Sequence, residues 1–272
     1  MSFVPETSLP GRGLVTLLGT GTSVGVPAIG CDCDVCQSDH PRNKRTRCAI
    51  TVRLPQGTVL VDTPPDLRMQ LIRERVRIIH AVVYTHEHAD HIYGLDDLRL
   101  FPFKLDRPVP LYCRENVEAH IRRSFSYAFQ DKAEETHPGA TPRLEFERID
   151  NDTPFQLLGG SFIPIPMKHG PRFRVLGFRI GDFAYCTDTS HIPPESIERL
   201  RGVHTLVVGA LRLEPHPTHF NIEQAIEAGQ QVGARRTVLT HTGHQLDYDK
   251  TSDYLPDGVE MAYDGQQFEI QL

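Results

Sequence analysis

Ile78-Ile79-His80-Ala81-Val82-Val83-Tyr84-Thr85-His86-Glu87-His88-Ala89-Asp90-His91 is the stretch whose reading decides the fold. Its first eight residues form an apolar, β-branched run, which reads as a strand buried on both faces. Three imidazoles and two carboxylates then follow on the segment that leaves the strand. Neutral imidazole and carboxylate are the nitrogen and oxygen donors that hold zinc, manganese and iron. Side chains alternate along an extended segment, so His86, His88 and Asp90 point one way. His91 joins them if the chain turns at Asp90, and the following IYGLDDLRLF reads as the helix that such a turn begins. The spacing therefore supplies ligands for two metals.

Working outward, the same arrangement recurs. Thr58 to Val61 is a strand that ends at Asp62. It is paired through Pro55-Gln56-Gly57 with Arg47 to Leu54. Asp66 is the expected N-cap of the helix LRMQLIRERV, which leaves Asp62 as the better candidate for a site role. Ser161 to Met167 runs to Lys168-His169-Gly170. A hairpin of Val175 to Ile180 and Asp182 to Thr187 ends at Asp188, and Arg236 to Thr240 ends at His241. Strand after strand thus ends in a metal-type ligand, which is how α/β folds build sites along one edge of a sheet. His219 lies ahead of the helix IEQAIEAGQQVG, for which Asn221 is the expected N-cap. It is a candidate general acid, because it is a histidine outside the ligand set with an ordinary pKa near working pH. His120, within the helix expected over 115–129, and His137, in the loop QDKAEETHPGATP, read as packing or solvated residues.

Near the N-terminus a short strand, Leu14 to Leu18, runs into Gly19-Thr20-Gly21-Thr22-Ser23-Val24-Gly25. This is neither a Walker loop nor a dinucleotide fingerprint, and a tight connection is the simpler reading. Cys31-x-Cys33-x2-Cys36 follows. Three thiolates suit a closed structural zinc site whose fourth ligand is either the nearby His40 or the distant His244.

Composition narrows the functional classes. The chain has 272 residues, 39% of them hydrophobic, which suits one large α/β domain spanning 1–272. It has no repeat, and its apolar runs are far short of a membrane span. MSFVPETSLPGRG lacks the basic and apolar regions of a secretion signal, and six cysteines with three clustered suit metal binding in a cytoplasmic setting. A net charge of −6 argues against a broad nucleic-acid-binding face. The oligomeric state is not legible, and a homodimer stays open.

His86-x-His88-x-Asp90-His91, Lys168-His169-Gly170, Thr187-Asp188-Thr189 and Thr240-His241 together resemble the metallo-β-lactamase superfamily. LLGTGTSVGVP, the cysteine cluster and LTHTGHQL are most similar to the bacterial phosphodiesterases that hydrolyse phosphoribosyl cyclic phosphate. The tRNA 3′-processing endonucleases share the glycine loop and a motif resembling His219-Phe220-Asn221, but this chain has no long basic, glycine-rich arm. The resemblance implies an αββα sandwich of the α/β class, with two mixed sheets flanked by helices. It implies one metal on His86, His88 and His169 and another on Asp90, His91 and His241. Asp188 would bridge them, Asp62 would orient the metal loop, and Cys31, Cys33, Cys36 and His244 would hold a structural zinc. The expected cofactors are thus two divalent ions, zinc or manganese, and one structural zinc. The expected function is a dinuclear phosphodiesterase. It would cleave a small cyclic phosphate or nucleotide phosphodiester by attack of a hydroxide bridging the metals, with Asp90 and His219 as catalytic residues. Two alternatives are tRNA 3′-end processing or other ester hydrolysis on the same site, and a non-catalytic carrier like those of quinone-cofactor biosynthesis.

Overall fold

The structure is a computed structural model that describes residues 11–129 and 141–272. The strands are β1 (Arg12–Gly19), β2 (Ala49–Leu54), β3 (Gly57–Val61), β4 (Ala81–Val83), β5 (Val109–Cys113), β6 (Leu144–Arg148) and β7 (Phe155–Leu157). They continue as β8 (Gly160–His169), β9 (Phe173–Ile180), β10 (Phe183–Cys186), β11 (Thr205–Gly209), β12 (Arg236–Thr240), β13 (Val259–Met261) and β14 (Gln267–Gln271). Among the described residues they make two seven-stranded sheets, ordered β14-β1-β2-β3-β4-β5-β6 and β13-β12-β11-β10-β9-β8-β7. Both sheets are mixed. β14 to β3 and β7 to β10 pair antiparallel, whereas β3 to β6 and β10 to β13 pair parallel.

Alternation along the strands sorts the side chains into three apolar layers. Val15, Leu17, Val59, Val61 and Val83 of the first sheet meet Phe162, Phe178, Tyr185, Val207 and Val238 of the second. On the outer face of the first sheet, Leu60, Val82 and Leu111 cluster with Leu67, Leu71, Val117 and Ile121 of the helices Leu67–Arg73 and Glu115–Ser124. On the outer face of the second, Leu206, Val208 and Leu239 cluster with Ile197, Leu200, Ala225 and Val232 of the helices Pro194–Leu200 and Ile222–Val232. This is the expected αββα sandwich of two mixed sheets flanked by helices. No helix among the described residues is long and apolar enough to cross a membrane.

Several local expectations change. The run 78–85 is a strand only over β4, with His80 N and Tyr84 N still bonded to Thr58 O and Tyr112 O beside it, and it ends at Thr85, whose amide and hydroxyl turn to Asp62. Asp66 sits at the N-cap of its helix but makes no capping bond, since its carboxylate accepts from Arg47 N at 2.9 Å and Arg47 Nη1 at 3.0 Å. An ion pair with the segment ahead of β2 outcompetes the local cap. IYGLDDLRLF is not one helix. A helical turn at Ala89–Ile92 gives way to a 3-10 turn at Leu95–Leu100 and a short helix at Phe101–Leu105. Gly94 N donates to the Thr63 carbonyl at 2.8 Å instead of back to Asp90, so the helical ladder stops there. The helix expected over 115–129 ends at Ser124 and is followed by a 3-10 turn. Asn221 caps its helix as expected, in a reciprocal capping box with Gln224. His120 sits beside Arg123 on that 115–124 helix, and His137 lies outside the described residues.

Candidate active site

The carboxyl ends of the parallel strands deliver the site. Asp62 directly follows β3, His86 to His91 follow β4, Asp188 follows β10 and His241 follows β12, while His169 is the last residue of β8. Three of these carry positive φ, with Asp62 at 66°, Asp188 at 53° and His241 at 55°. Left-handed backbone at a side-chain-bearing residue costs roughly 1 kcal/mol or more, and such strain gathers at functional sites. The glycine loop after β1 is committed to the protein itself. Gly21 N donates to Thr46 O at 2.8 Å and Thr22 N to Thr242 O at 3.3 Å, while Thr20 O accepts from Thr242 N at 3.0 Å. It braces the end of β12 that carries His241, as a tight connection rather than a phosphate cradle.

Each of three imidazoles has its Nδ1 occupied. His91 Nδ1 donates to Asp62 Oδ2 at 2.7 Å, His86 Nδ1 lies 2.9 Å from Thr85 Oγ1, and His169 Nδ1 lies 2.7 Å from the Thr218 carbonyl. The Thr85 hydroxyl in turn donates to Asp62 Oδ2 at 2.8 Å, so it accepts from His86. These bonds hold the protons on Nδ1 and leave Nε2 as a lone-pair donor aimed into the site. Two sets of donor atoms lie within 4.8 Å of one another, His86-His88-His169 and Asp90-His91-Asp188-His241. His91 Nε2 stands 3.3 Å from Asp188 Oδ1, and His241 Nε2 stands 3.3 Å from Asp188 Oδ2. Asp188 therefore faces a histidine with each oxygen. His169, Asp188 and His219 form a third, overlapping set.

Burial and charge act together here. Burial would raise Asp188, yet His241 and His91 hold it well below the usual carboxylate range. Burial would lower His91, but Asp188, Asp90 and Asp62 lift it well above an ordinary histidine. Burial, followed by the charge of His91, pushes His86 well down. Burial and the facing His241 push His219 down to about 3. The His219 ring stacks on His241 at 4.7 Å and lies 4.6 Å from His169.

The donor atoms fit divalent cations. His86 Nε2 and His241 Nδ1 are buried without a hydrogen-bond partner among the described residues, and His91 Nε2 and His241 Nε2 make no hydrogen bond beyond their 3.3 Å approach to Asp188, an expensive state for polar atoms unless something else binds them. Nitrogen and carboxylate oxygen are the donor chemistry of borderline and hard divalent ions.

A second cluster lies on the other side of the 241–244 loop. The His244 Nδ1 is 3.2 Å from Cys31 Sγ and 3.3 Å from Cys33 Sγ, and Cys36 completes a set of four donors within 4.8 Å. The His244 contact leads in drawing the Cys33 thiol down to about 6. The alternative, His40, is elsewhere. Its Nδ1 accepts from Arg42 N at 3.2 Å, and its Nε2 lies 3.4 Å from Asp249. Sequence reading missed what holds this loop. The buried Arg45 donates to Gly243 O at 3.1 Å, Leu246 O at 2.6 Å and Thr242 Oγ1 at 3.2 Å, so one guanidinium pins the segment between the two clusters. No local pattern marks an arginine as buried. Asp264, which accepts from Thr20 and Thr46, was equally invisible.

Residues 57–242 match the model of the family described as the beta-lactamase superfamily domain. The chain is 38% identical over 252 residues to an octanoyltransferase of Porphyromonas gingivalis, covering 92% of this chain and 50% of that protein. The chain thus spans about half the length of that relative. It is 24% identical over 291 residues to a ribonuclease Z of a Mycobacterium species, covering 94% and 95% of the two chains. Among solved structures, a diphosphatase from the PhnP family superposes with a TM-score of 0.89 at 40% identity, over 96% of this chain and 98% of that one.

Proposed function

The chain belongs to the beta-lactamase superfamily, and on that premise we propose that it is a dinuclear metal-dependent phosphodiesterase acting on a small cyclic phosphate or nucleotide phosphodiester. The observation that carries the reading is the convergence of the His86-His88-His169 and Asp90-His91-Asp188-His241 donor sets from the strand ends of both sheets. Likeness to a PhnP-family diphosphatase at 40% identity supports phosphorus chemistry, and the net charge of −6 favours a small substrate over a nucleic acid. The half-length match to an octanoyltransferase does not bring acyl transfer into this reading. We read residues 1–272 as one catalytic domain.

Two divalent ions, zinc or manganese, would supply a nucleophilic water at neutral pH and offset the charge gathering on the phosphoryl oxygens. His86, His88 and His169 are the ligands we assign to one ion and Asp90, His91 and His241 to the other, with Asp188 shared. Asp90 and Asp188 are both held ionised, which suits ligands rather than proton donors. Asp62 keeps the His91 proton on Nδ1, and Thr218 does the same for His169. His219 is our proton donor to the leaving oxygen. Its imidazole is neutral in the free protein, so an anionic phosphate beside it is what would raise its proton affinity. Cys31, Cys33, Cys36 and His244 are assigned to a structural zinc.

The test is metal per chain together with turnover of bis(p-nitrophenyl) phosphate and a 2′,3′-cyclic nucleotide. Three metals and turnover of both are expected. One tightly held metal and no turnover of either would end the enzyme reading.

A further inference from the structure

The hairpin joining β8 and β9 carries more than the ligand His169. Its tip runs Gly170-Pro171-Arg172-Phe173, and Phe173 remains 39% exposed although it is a large apolar ring. That ring is not on a remote surface. Its centroid lies 4.5 Å from the His88 ring, near edge-on at 77°, and 6.0 Å from the His169 ring. The tip is also held in place. Gly170 sits at φ 66°, its amide donates to Ser190 Oγ at 2.8 Å, and a Cβ there would meet Thr218 Cγ2 at 2.6 Å. Thr218 belongs to the loop that carries His219, so the platform is anchored to two walls of the site. The hairpin is cationic throughout. Arg172 is exposed at the tip beside Phe173, Lys168 and Arg174 pair with each other on the opposite face of the hairpin from His169 and Phe173, and residues 168–174 contain no acid.

We infer that Phe173 is the specificity platform of the site: it stacks a planar, aromatic group attached to the phosphate, so the substrate class is nucleotide-like rather than a bare sugar phosphate. The inference rests on the phosphodiesterase reading for the chemistry but not for the binding. A phosphoryl group drawn to His86, His88 and His169 has Phe173 as the adjoining wall. An exposed aromatic ring beside an anion-attracting hairpin is the combination that holds a base next to its phosphate. Base-on-aromatic stacking contributes roughly 1–3 kcal/mol, so the expected preference is on the order of tenfold.

The competing role is a shield that only covers His88 and His169. Phe173→Leu separates the two, because leucine keeps the apolar cover and removes the π face, whereas Phe173→Trp keeps both. The experiment measures calorimetric binding of AMP and ribose 5-phosphate to the metal-loaded protein, with metal per chain as control. Wild type and Phe173→Trp should bind AMP about tenfold more tightly than ribose 5-phosphate, and Phe173→Leu should bind the two within about twofold. Wild type showing no preference, or Phe173→Leu retaining it, overturns the inference. Turnover of 2′,3′-cyclic AMP and of glycerol 1,2-cyclic phosphate is read alongside. A Phe173-dependent binding preference without turnover of either ester leaves the platform standing and removes the phosphodiesterase reading. Turnover of both without a base preference does the reverse.

Discussion

Replacing Asp62 by asparagine changes one oxygen to an NH2 group and should unload much of the metal on His91. The buried carboxylate receives three donors: Thr85 N–H at 2.9 Å, the Thr85 hydroxyl at 2.8 Å and His91 Nδ1–H at 2.7 Å. An amide has only one acceptor atom. In one orientation its NH2 faces the Thr85 backbone N–H, which cannot turn away. In the other it faces His91, whose ring can respond only by moving its proton from Nδ1 to Nε2, the atom that must ligate. Either way a buried donor loses its partner or the ligand tautomer is lost, at a cost of about 1–3 kcal/mol. Partners that orient metal-binding histidines are typically worth about 10–100-fold in metal affinity, which is the same range. Competition against a chromogenic chelator should therefore show Asp62→Asn weakened about 10–100-fold for one active-site ion. Ions held by the cysteine cluster should be unaffected, and circular dichroism should report an intact fold. Affinity within twofold of wild type at every site would refute the tautomer argument.

Further outcomes follow from the same geometry. Asp188→Ala removes the carboxylate that faces both His91 and His241, and it should lower metal content and reduce activity by at least about 100-fold in a phosphodiester assay. His219→Ala should lower kcat about 100-fold or more with active-site metal unchanged, and a parallel loss of metal would make His219 a ligand alongside His169 and Asp188. Arg45→Met leaves Gly243 O and Leu246 O without their buried donor, and should lower the unfolding free energy by about 3 kcal/mol in denaturant titration. Burial holds His86 and His219 below their ordinary values, so the unfolded chain takes up their protons first as pH falls. Their contribution is complete above about pH 6.5 and is lost below it, towards about 3 for His219. His91, which is raised, is protonated in both states in this window and adds no slope there; its contribution is lost only as pH rises above about 6.5. Chelator-treated protein should therefore melt lower by at least about 3 °C per pH unit on acidification below pH 6, as followed by calorimetry.

The fold was legible where hydrophobic runs were long and chemistry sat at their ends. β1, β4, β11 and β12 are buried on both faces, and each announced itself as an apolar run. β6, with the sequence LEFER, and β14, with QFEIQ, were not read, because each edge strand offers only two apolar residues set among Glu, Gln and Arg, too short a run to stand out even where, as in β14, the alternation is regular. The candidate donors of the site were legible because strand ends concentrate function, so each of them followed a run that could be seen. What could not be seen was anything set by tertiary competition. Asp66 gave up its cap for Arg47, and Arg45 found its partners nearly 200 positions away. The left-handed backbone at Asp62, Asp188 and His241 likewise has no local signature, since none of the three is a glycine or asparagine. Phe173 was invisible as a site residue, because only the hairpin brings it against His88.

The most direct test of the central claim is anomalous difference density from crystals of the metal-loaded protein, recorded at the absorption edge of the metal found in solution. Two peaks are expected at the strand ends, one among His86, His88 and His169 and one among Asp90, His91 and His241, both touching Asp188. A third is expected among Cys31, Cys33, Cys36 and His244. A single peak at the cysteines, with the strand-end histidines free of metal, would contradict the account.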